Sequence, residues 1–485
     1  MKILFVASEA APFAKTGGLG DVIGALPRAL AARGHEILVV LPKYGSIDEK
    51  AFGLRDTGRR VEVQFPNLNA QAAVFVTAPA ERLRYLLLAN PYYERREIYG
   101  EAGKDYRDNH KRFALLSVAA LEAAKQINFI PDAVHAHDWQ AALTPLILKR
   151  GWSGRPAPFK ARSVFTIHNL AYQGLFPREA MSELELPGDL FNPDALEFYG
   201  QLCLLKAGLV FGDKLTTVSP TYAKEIVQSP ETGAGLDGLL RHRQSDLTGI
   251  LNGADYSQWS PDIDPALPAR YTAQDLSGKA KCKAALQQEL GLSVDRAAPL
   301  AAAIGRLAHQ KGYDLLADAV PGLVSRGVQV ALLGQGDPAL EERFRAVAAQ
   351  YPRQVSVTLR FDDGLAHRME GGADLFLMPS RFEPCGLNQL YSLRYGTLPL
   401  VHAVGGLADS IKDATASGRT PGEDGWGFRF DEETTDALLA AVDRALGLWK
   451  DAGAWQATVR RAMGLDFSWD RAAEKYEALY RGTAP

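Results

Sequence analysis

Cysteine is scarce in this chain. Cys203, Cys282 and Cys385 stand far apart among 485 residues with no paired spacing, which argues against a disulfide framework or a thiolate zinc site and fits a reducing compartment such as the cytoplasm. Excess charge of one sign is also missing: 54 basic and 57 acidic side chains leave a formal net charge of −3. No nucleic-acid or membrane partner is therefore expected, and any anion must be held by a local arrangement of groups. No uninterrupted apolar stretch approaches the ~18 residues of a membrane-spanning helix. The opening "MKILFVASEAAPFAK" has too few consecutive apolar residues for a signal-peptide core and reads as a first strand.

What is present is the composition of an ordinary folded protein, long enough for two or three domains, with two large halves the simplest reading. The chain opens as strand "KILFVAS", loop "EAAPFAKTGGLGD", helix "VIGALPRALAARG" and strand "HEILVVLP". That alternation is the signature of a parallel sheet with crossover helices. Further strands are expected at "RYLLLAN", "DAVHAH" and "RSVFTIH", and a helix at "KRFALLSVAALEAAKQ", making the first half doubly wound. The segment "YSQWSPDIDPALPARYTAQDLSGK" is rich in Pro, Ser and Asp and lacks periodicity, so it is the candidate linker. After it the pattern restarts, with strands at "PLAAAIGR", "VQVALLGQG", "ADLFLMP" and "LPLVHAV" and helices at "YDLLADAVPGLVSRG" and "DALLAAVDRALGLWK". At the end, Ser468 as N-cap and the stripe Trp469, Ala473, Tyr476 and Tyr480 predict an amphipathic packing helix.

Ligands of open parallel sheets sit outside the carboxyl ends of strands, so polar residues just after strands carry the functional reading. The first group is "KTGGLGD": Gly17 and Gly18 let backbone approach an oxygen closely and Lys15 adds charge, although a tight turn would use the same glycines. Neither the dinucleotide fingerprint nor the Walker pattern is matched there. The second is "GRLAHQKG", where Arg306 and Lys311 beside a helix start suit a departing diphosphate, or are two surface cations. The third is "SRFEPCGLNQLYSLRYG". Glu383 precedes Pro384, well placed as a first helical residue, so its carboxylate would favour the positive helix end; it also suits a pair of sugar hydroxyls. Cys385 reads more readily as a small buried residue than as a reactive thiol. In "HAHDWQ" and "TIHNLAYQG", His135 and His137 share one strand face, but no third ligand is evident and a metal is not expected. Asp138 and His168 stand at strand ends, where they face a cleft or bond a loop.

Taken together, "KTGGLGDVIGALP", "GKDYRDN", "VHAHDWQA", "TIHNLAYQG", "GRLAHQKG", "PSRFEPCGLNQLYSLRYG" and "GGLADS" resemble, in order, the bacterial glycogen synthase and plant starch synthase family. The resemblance implies an α/β fold of GT-B architecture, two Rossmann-like parallel-sheet domains facing a deep cleft. Residues 1–252 would form the acceptor-side domain, with a C-terminal helix 467–485 packing back onto it, and 253–466 the nucleotide-sugar domain. It implies retaining transfer of glucose from ADP-glucose to the non-reducing-end 4-hydroxyl of an α-1,4-glucan such as glycogen, with no cofactor and no metal. Lys15, Gly17 and Gly18 would lie beside the donor phosphates, Arg306 and Lys311 would neutralise ADP, and Asp138 and His168 would contact the glucose. Glu383 would hold the 3- and 4-hydroxyls, helped by backbone N–H groups from Cys385 through Gly386 to Leu387; Asn252 would lie in the sugar cleft and Phe361 against adenine. Asn388 stands where the family commonly has threonine, and Phe361 where tyrosine is frequent.

Departure of the diphosphate leaves an oxocarbenium-like sugar, and only one carboxylate candidate, Glu383, is in view, where retaining glycosidases use two about 5 Å apart. The resemblance favours front-face attack. Closure of the two halves about the sugar is expected, to exclude water. A transferase using another nucleotide sugar and a non-catalytic glucan-binding protein are the alternatives; Lys15, Arg306, Lys311 and Glu383 together speak against the second.

Overall fold

The computed structural model describes residues 1–65, 68–101, 103–415 and 424–483. It divides into two compact units: residues 1–218, 223–250 and 469–485, and residues 219–222 and 251–468. The sequence reading set its boundaries at 252/253 and 466/467 and did not separate Ser219–Tyr222; of its C-terminal helix, residues 484–485 lie outside the described residues.

The first unit is built on a nine-stranded sheet. Its central strand Lys2–Val6 pairs in parallel with Glu36–Pro42 on one side and Ala133–His137 on the other. Parallel pairing continues outward to Leu83–Ala89 on the first side and through Arg162–Ile167, Lys214–Thr217 and Leu247–Gly249 on the second. Ile3 to Val6 and Ile37 to Leu41 are fully buried, as expected of strands covered on both faces by helices.

Two edge strands, Arg55–Phe65 and Leu68–Ala80, pair antiparallel and make the sheet mixed. The sequence reading missed both. The first buries only alternate residues such as Val61 and Val63, and the second turns Ala70, Ala72 and Val74 inward, two of them poor strand formers whose place is set by their neighbours. The opening helix begins at Gly18 rather than after the glycine loop, so Gly20 and Gly24 are helical.

The last helix, Trp469–Arg481, belongs to the first unit. Its buried stripe includes Trp469, Ala473, Tyr476 and Tyr480. Arg33 forks onto Glu477 at 2.8 Å and Asp470 at 2.9 Å, and His35 meets Glu477 at 2.9 Å.

The second unit carries a six-stranded, all-parallel sheet. Leu300–Ile304 lies at its middle, with Gln329–Leu333 and then Val355–Thr358 on one side. On the other side come Leu375–Met378, Leu398–His402 and Phe428–Phe430. The segment taken for a linker is packed instead. Trp259 stacks between His367 at 3.7 Å and Tyr391 at 4.3 Å, and buried Asp264 accepts from Tyr395 and bonds His367. The segment's lack of periodicity reflects irregular backbone pinned by side chains, and its last residues already open the helix Ser277–Glu289.

Candidate functional site

Each sheet has one place where consecutive connections leave a central strand in opposite directions, and the gap between the strand ends there is the natural ligand site of an open parallel sheet. In the first unit it lies between the ends of Lys2–Val6 and Ala133–His137, in the second between those of Leu300–Ile304 and Leu375–Met378. Lys15, Gly17, Gly18, Asp138, Arg306, Lys311 and the turn from Glu383 to Asn388 follow these strands, while His168, Asn252 and Phe361 follow Arg162–Ile167, Leu247–Gly249 and Val355–Thr358.

At the first switch point the glycine loop follows Lys2–Val6 and is tied down from within. Buried Glu9 accepts from the backbone N–H of Thr16 at 2.6 Å, the Thr16 hydroxyl at 2.8 Å and, more weakly, the Gly17 N–H at 3.3 Å. Tyr99 donates to the same carboxylate at 2.5 Å. Two of the loop's N–H groups are therefore spent internally, and a ligand would meet the helix start from Gly18 onward. A Cβ at Gly17 would have no atom within 4 Å, so the protein's own packing gives no reason for glycine there. Lys15, exposed, is paired with Asp21 at 2.6 Å.

Just after the adjoining strand Asp138 takes a left-handed backbone conformation, φ +54°, which Asp tolerates better than most residues. Its carboxylate accepts from the His168 N–H at 2.7 Å, bringing the two candidates together. Burial raises the Asp138 pKa to about 7 and lowers that of His168 to about 3. His137 Nδ1 lies 3.0 Å from His168 Nε2. The shared strand face of His135 and His137 is real, with ring centroids 4.0 Å apart, but His135 is taken by Tyr480 at 2.7 Å and Thr166 at 2.6 Å. Among the described residues no group of three His, Cys, Asp or Glu is arranged to hold a metal ion.

At the second switch point Lys311 and Glu383, 72 residues apart in sequence, form an ion pair of 2.6 Å. The Ser380 hydroxyl also donates to the carboxylate, at 3.1 Å, and Glu383 is only 5% exposed. The position expected for Pro384 is corrected. The helix begins at Asn388, four residues later, because Gly386 turns the chain at φ +70°, so Lys311 rather than a helix end neutralises the carboxylate. The turn is clamped from behind: Gly406 N–H donates to the Glu383 carbonyl at 3.0 Å, and a Cβ on Gly405 would sit 2.0 Å from that oxygen. Ser219 donates to the Pro384 carbonyl at 2.6 Å, and Gln389 to the Cys385 carbonyl at 2.9 Å.

Cys385 is buried, and burial pushes its thiol up to about 12, the reverse of a reactive cysteine. Buried Asn252 bonds the Cys385 sulfur, while its Oδ1 has no partner among the described residues. Leu387 is the residue before the helix. Asn388 donates to the Ile304 carbonyl at 2.9 Å, so its amide closes the turn onto the central strand. Arg306 is exposed, and Phe361 is 80% exposed, its ring presented outward after the strand Val355–Thr358. Glu9, Tyr99 and Ser219 were not found from sequence, because their pairings join residues distant in the chain; Ser380 lies only three residues from its partner Glu383, and no pattern in the sequence marked it.

With this geometry in view, the comparisons decide the family. Residues 2–242 match the family model of the starch synthase catalytic domain, and residues 292–461 that of glycosyl transferases group 1. The chain is 54% identical over 485 residues to a glycogen synthase of Anaeromyxobacter dehalogenans, covering all of both, and 51% identical over 483 residues to that of Myxococcus xanthus, covering 99% of each. This chain belongs to the glycogen and starch synthase family. It is a glycosyltransferase of GT-B architecture. Among solved structures, the catalytic domain of starch synthase IV from Arabidopsis thaliana, bound to ADP and acarbose, is 34% identical with a TM-score of 0.91, covering 99% of each chain. Sucrose-phosphate synthase from Thermosynechococcus elongatus, 19% identical with a TM-score of 0.59, shares the fold. No helix among the described residues is long and apolar enough to cross a membrane.

Proposed function

We propose that this glycosyltransferase moves glucose from ADP-glucose to the 4-hydroxyl at the non-reducing end of an α-1,4-glucan such as glycogen, with retention, in the cytoplasm and without a metal or other cofactor. The observation that carries this reading is the buried Glu383 carboxylate paired with Lys311 at the second switch point. A carboxylate held by an ammonium and a hydroxyl keeps lone pairs for two adjacent sugar hydroxyls, and the ammonium beside it neutralises charge as a diphosphate leaves. ADP in the starch synthase IV structure supports the choice of nucleotide.

Roles are assigned unit by unit. In the second, Glu383 orients the hexose, Lys311 and Arg306 stabilise ADP, backbone N–H groups from Cys385 to Leu387 assist, Asn252 offers its unpartnered oxygen to the sugar, and Phe361 covers adenine. In the first, Lys15 and the helix start at Gly18 favour phosphate oxygens, Gly17 allows close approach, and Asp138 and His168 contact the transferred glucose. Glu383 is engaged by a cation and a hydroxyl, which suits an orienting acceptor better than a nucleophile. That favours front-face transfer, in which the departing phosphate takes the acceptor's proton. The test is transfer of labelled glucose into glycogen from ADP-glucose and, separately, UDP-glucose, with the new linkage assigned by NMR. ADP-dependent α-1,4 incorporation is expected; absence of transfer from either donor would sink the reading.

A further inference from the structure

The first unit holds three histidines whose rings touch in series, from the strand interior to its end. His135 packs on His137, and His137 reaches His168. His137 is fully buried, stacked on Phe5 at 5.7 Å with 12° between the planes. Its ring has a single hydrogen bond, from Nδ1 to His168 Nε2 at 3.0 Å, while Nε2 is buried with no partner among the described residues. The opposite ring orientation would place carbon against His168 and lose that bond.

One proton must be assigned to a neutral ring with these contacts. Were it on Nε2, a buried N–H donor would be orphaned; on Nδ1, only a lone pair goes unused. Orphaned buried donors are the rarer outcome. His137 therefore donates from Nδ1, His168 Nε2 accepts, and the remaining proton of His168 sits on Nδ1. Burial holds both rings neutral near pH 7, so no second proton is there to blur the choice.

We propose that His137 is a positioning residue that fixes His168 in the Nδ1–H tautomer, so that His168 offers the transferred sugar a hydrogen-bond donor rather than an acceptor. This rests on the reading of His168 as a sugar contact. A serine hydrolase uses a carboxylate to set the tautomer of its catalytic histidine; here a second neutral imidazole does so, which leaves no extra charge beside an oxocarbenium-like sugar.

The experiment is two-bond proton–nitrogen correlation NMR on the full chain with nitrogen-labelled histidine, which reads the protonated ring nitrogen without substrate. Both His137 and His168 are expected to carry the proton on Nδ1. A His168 signal with the proton on Nε2 would overturn the proposal. His137→Phe keeps the stack on Phe5 but removes the donor: His168 should lose its single tautomer and kcat/KM should fall about tenfold, the worth of one hydrogen bond. His137→Asn, whose amide occupies the Nδ1 position, should recover most of that loss. Unchanged kcat/KM in folded His137→Phe would refute the role; if that variant does not fold, His137→Asn and the native tautomer decide. Retained turnover in His168→Ala would instead defeat the sugar-contact reading, and is distinguishable because the tautomer is measured without substrate.

Discussion

The two switch points solve the same topological problem with opposite electrostatics. In the first unit the strand ends carry neutral imidazoles and a carboxyl whose pKa is raised to about 7, while in the second they carry an ammonium–carboxylate pair of 2.6 Å whose carboxylate is buried. The sheet places polar groups at its carboxyl edge in both, but burial decides their charge. Desolvation without a counter-ion drives groups neutral, and a partner at contact distance keeps them ionised. Neutral imidazoles suit hydroxyls, and an ammonium beside a carboxylate suits a sugar diphosphate.

The comparison breaks most decisively at Glu383. Glu383→Ala leaves Lys311 without its partner and removes the proposed contact to the hexose; kcat should fall about 10²–10³-fold, the scale of losing one preorganised electrostatic contact, with the circular dichroism of a folded chain retained. Near-normal turnover in the folded variant would erase the distinction between the two edges.

A smaller effect is expected at Glu9, whose carboxylate organises the glycine loop of the first edge. Glu9→Leu removes the acceptor of the Thr16 and Gly17 N–H groups, each lost hydrogen bond costing about 0.5–1.5 kcal/mol. Melting temperature and kcat/KM for the donor should both drop, with Glu9→Gln intermediate. Equal values for Glu9→Leu and the parent chain would show that the loop holds itself.

The pH dependence sharpens the neutral side. Burial raises Asp138 from 3.8 to about 7, so the folded state prefers its protonated form, and that contribution to stability is full below about pH 4 and lost as pH rises through 7. His168, lowered from 6.5 to about 3, acts in the opposite sense: its contribution is full above about pH 6.5 and lost as pH falls toward 3. Asp138→Asn removes the Asp138 contribution only, so the melting temperature should climb more steeply between about pH 4 and 7 than in the parent. Parallel curves would contradict an uncharged Asp138. The smallest effect is at Cys385: with its thiol pushed up to about 12, it should resist iodoacetamide at about pH 8 in the folded chain, and rapid alkylation read by peptide mass would contradict its burial.

Most of this was legible because apolar runs and the polar residues after them are local features. The strands ending before Lys15, Asp138, His168, Arg306 and Glu383 all form where the pattern put them. What was not legible is pairing. Pro384 looked like a helix start because proline suits that position, yet the turn at Gly386 delays the helix to Asn388. Glu383 then finds Lys311 across 72 residues, and Glu9 finds Tyr99 across 90. The packed segment around Trp259 was misread for the same reason: its order comes from rings on distant helices.

The most direct test of the charged edge is a crystal of the Glu383→Gln chain grown with ADP-glucose. The account predicts the hexose 3- and 4-hydroxyls within hydrogen-bond distance of residue 383 and the diphosphate against Lys311. A hexose bound elsewhere, with residue 383 and Lys311 untouched, would contradict it.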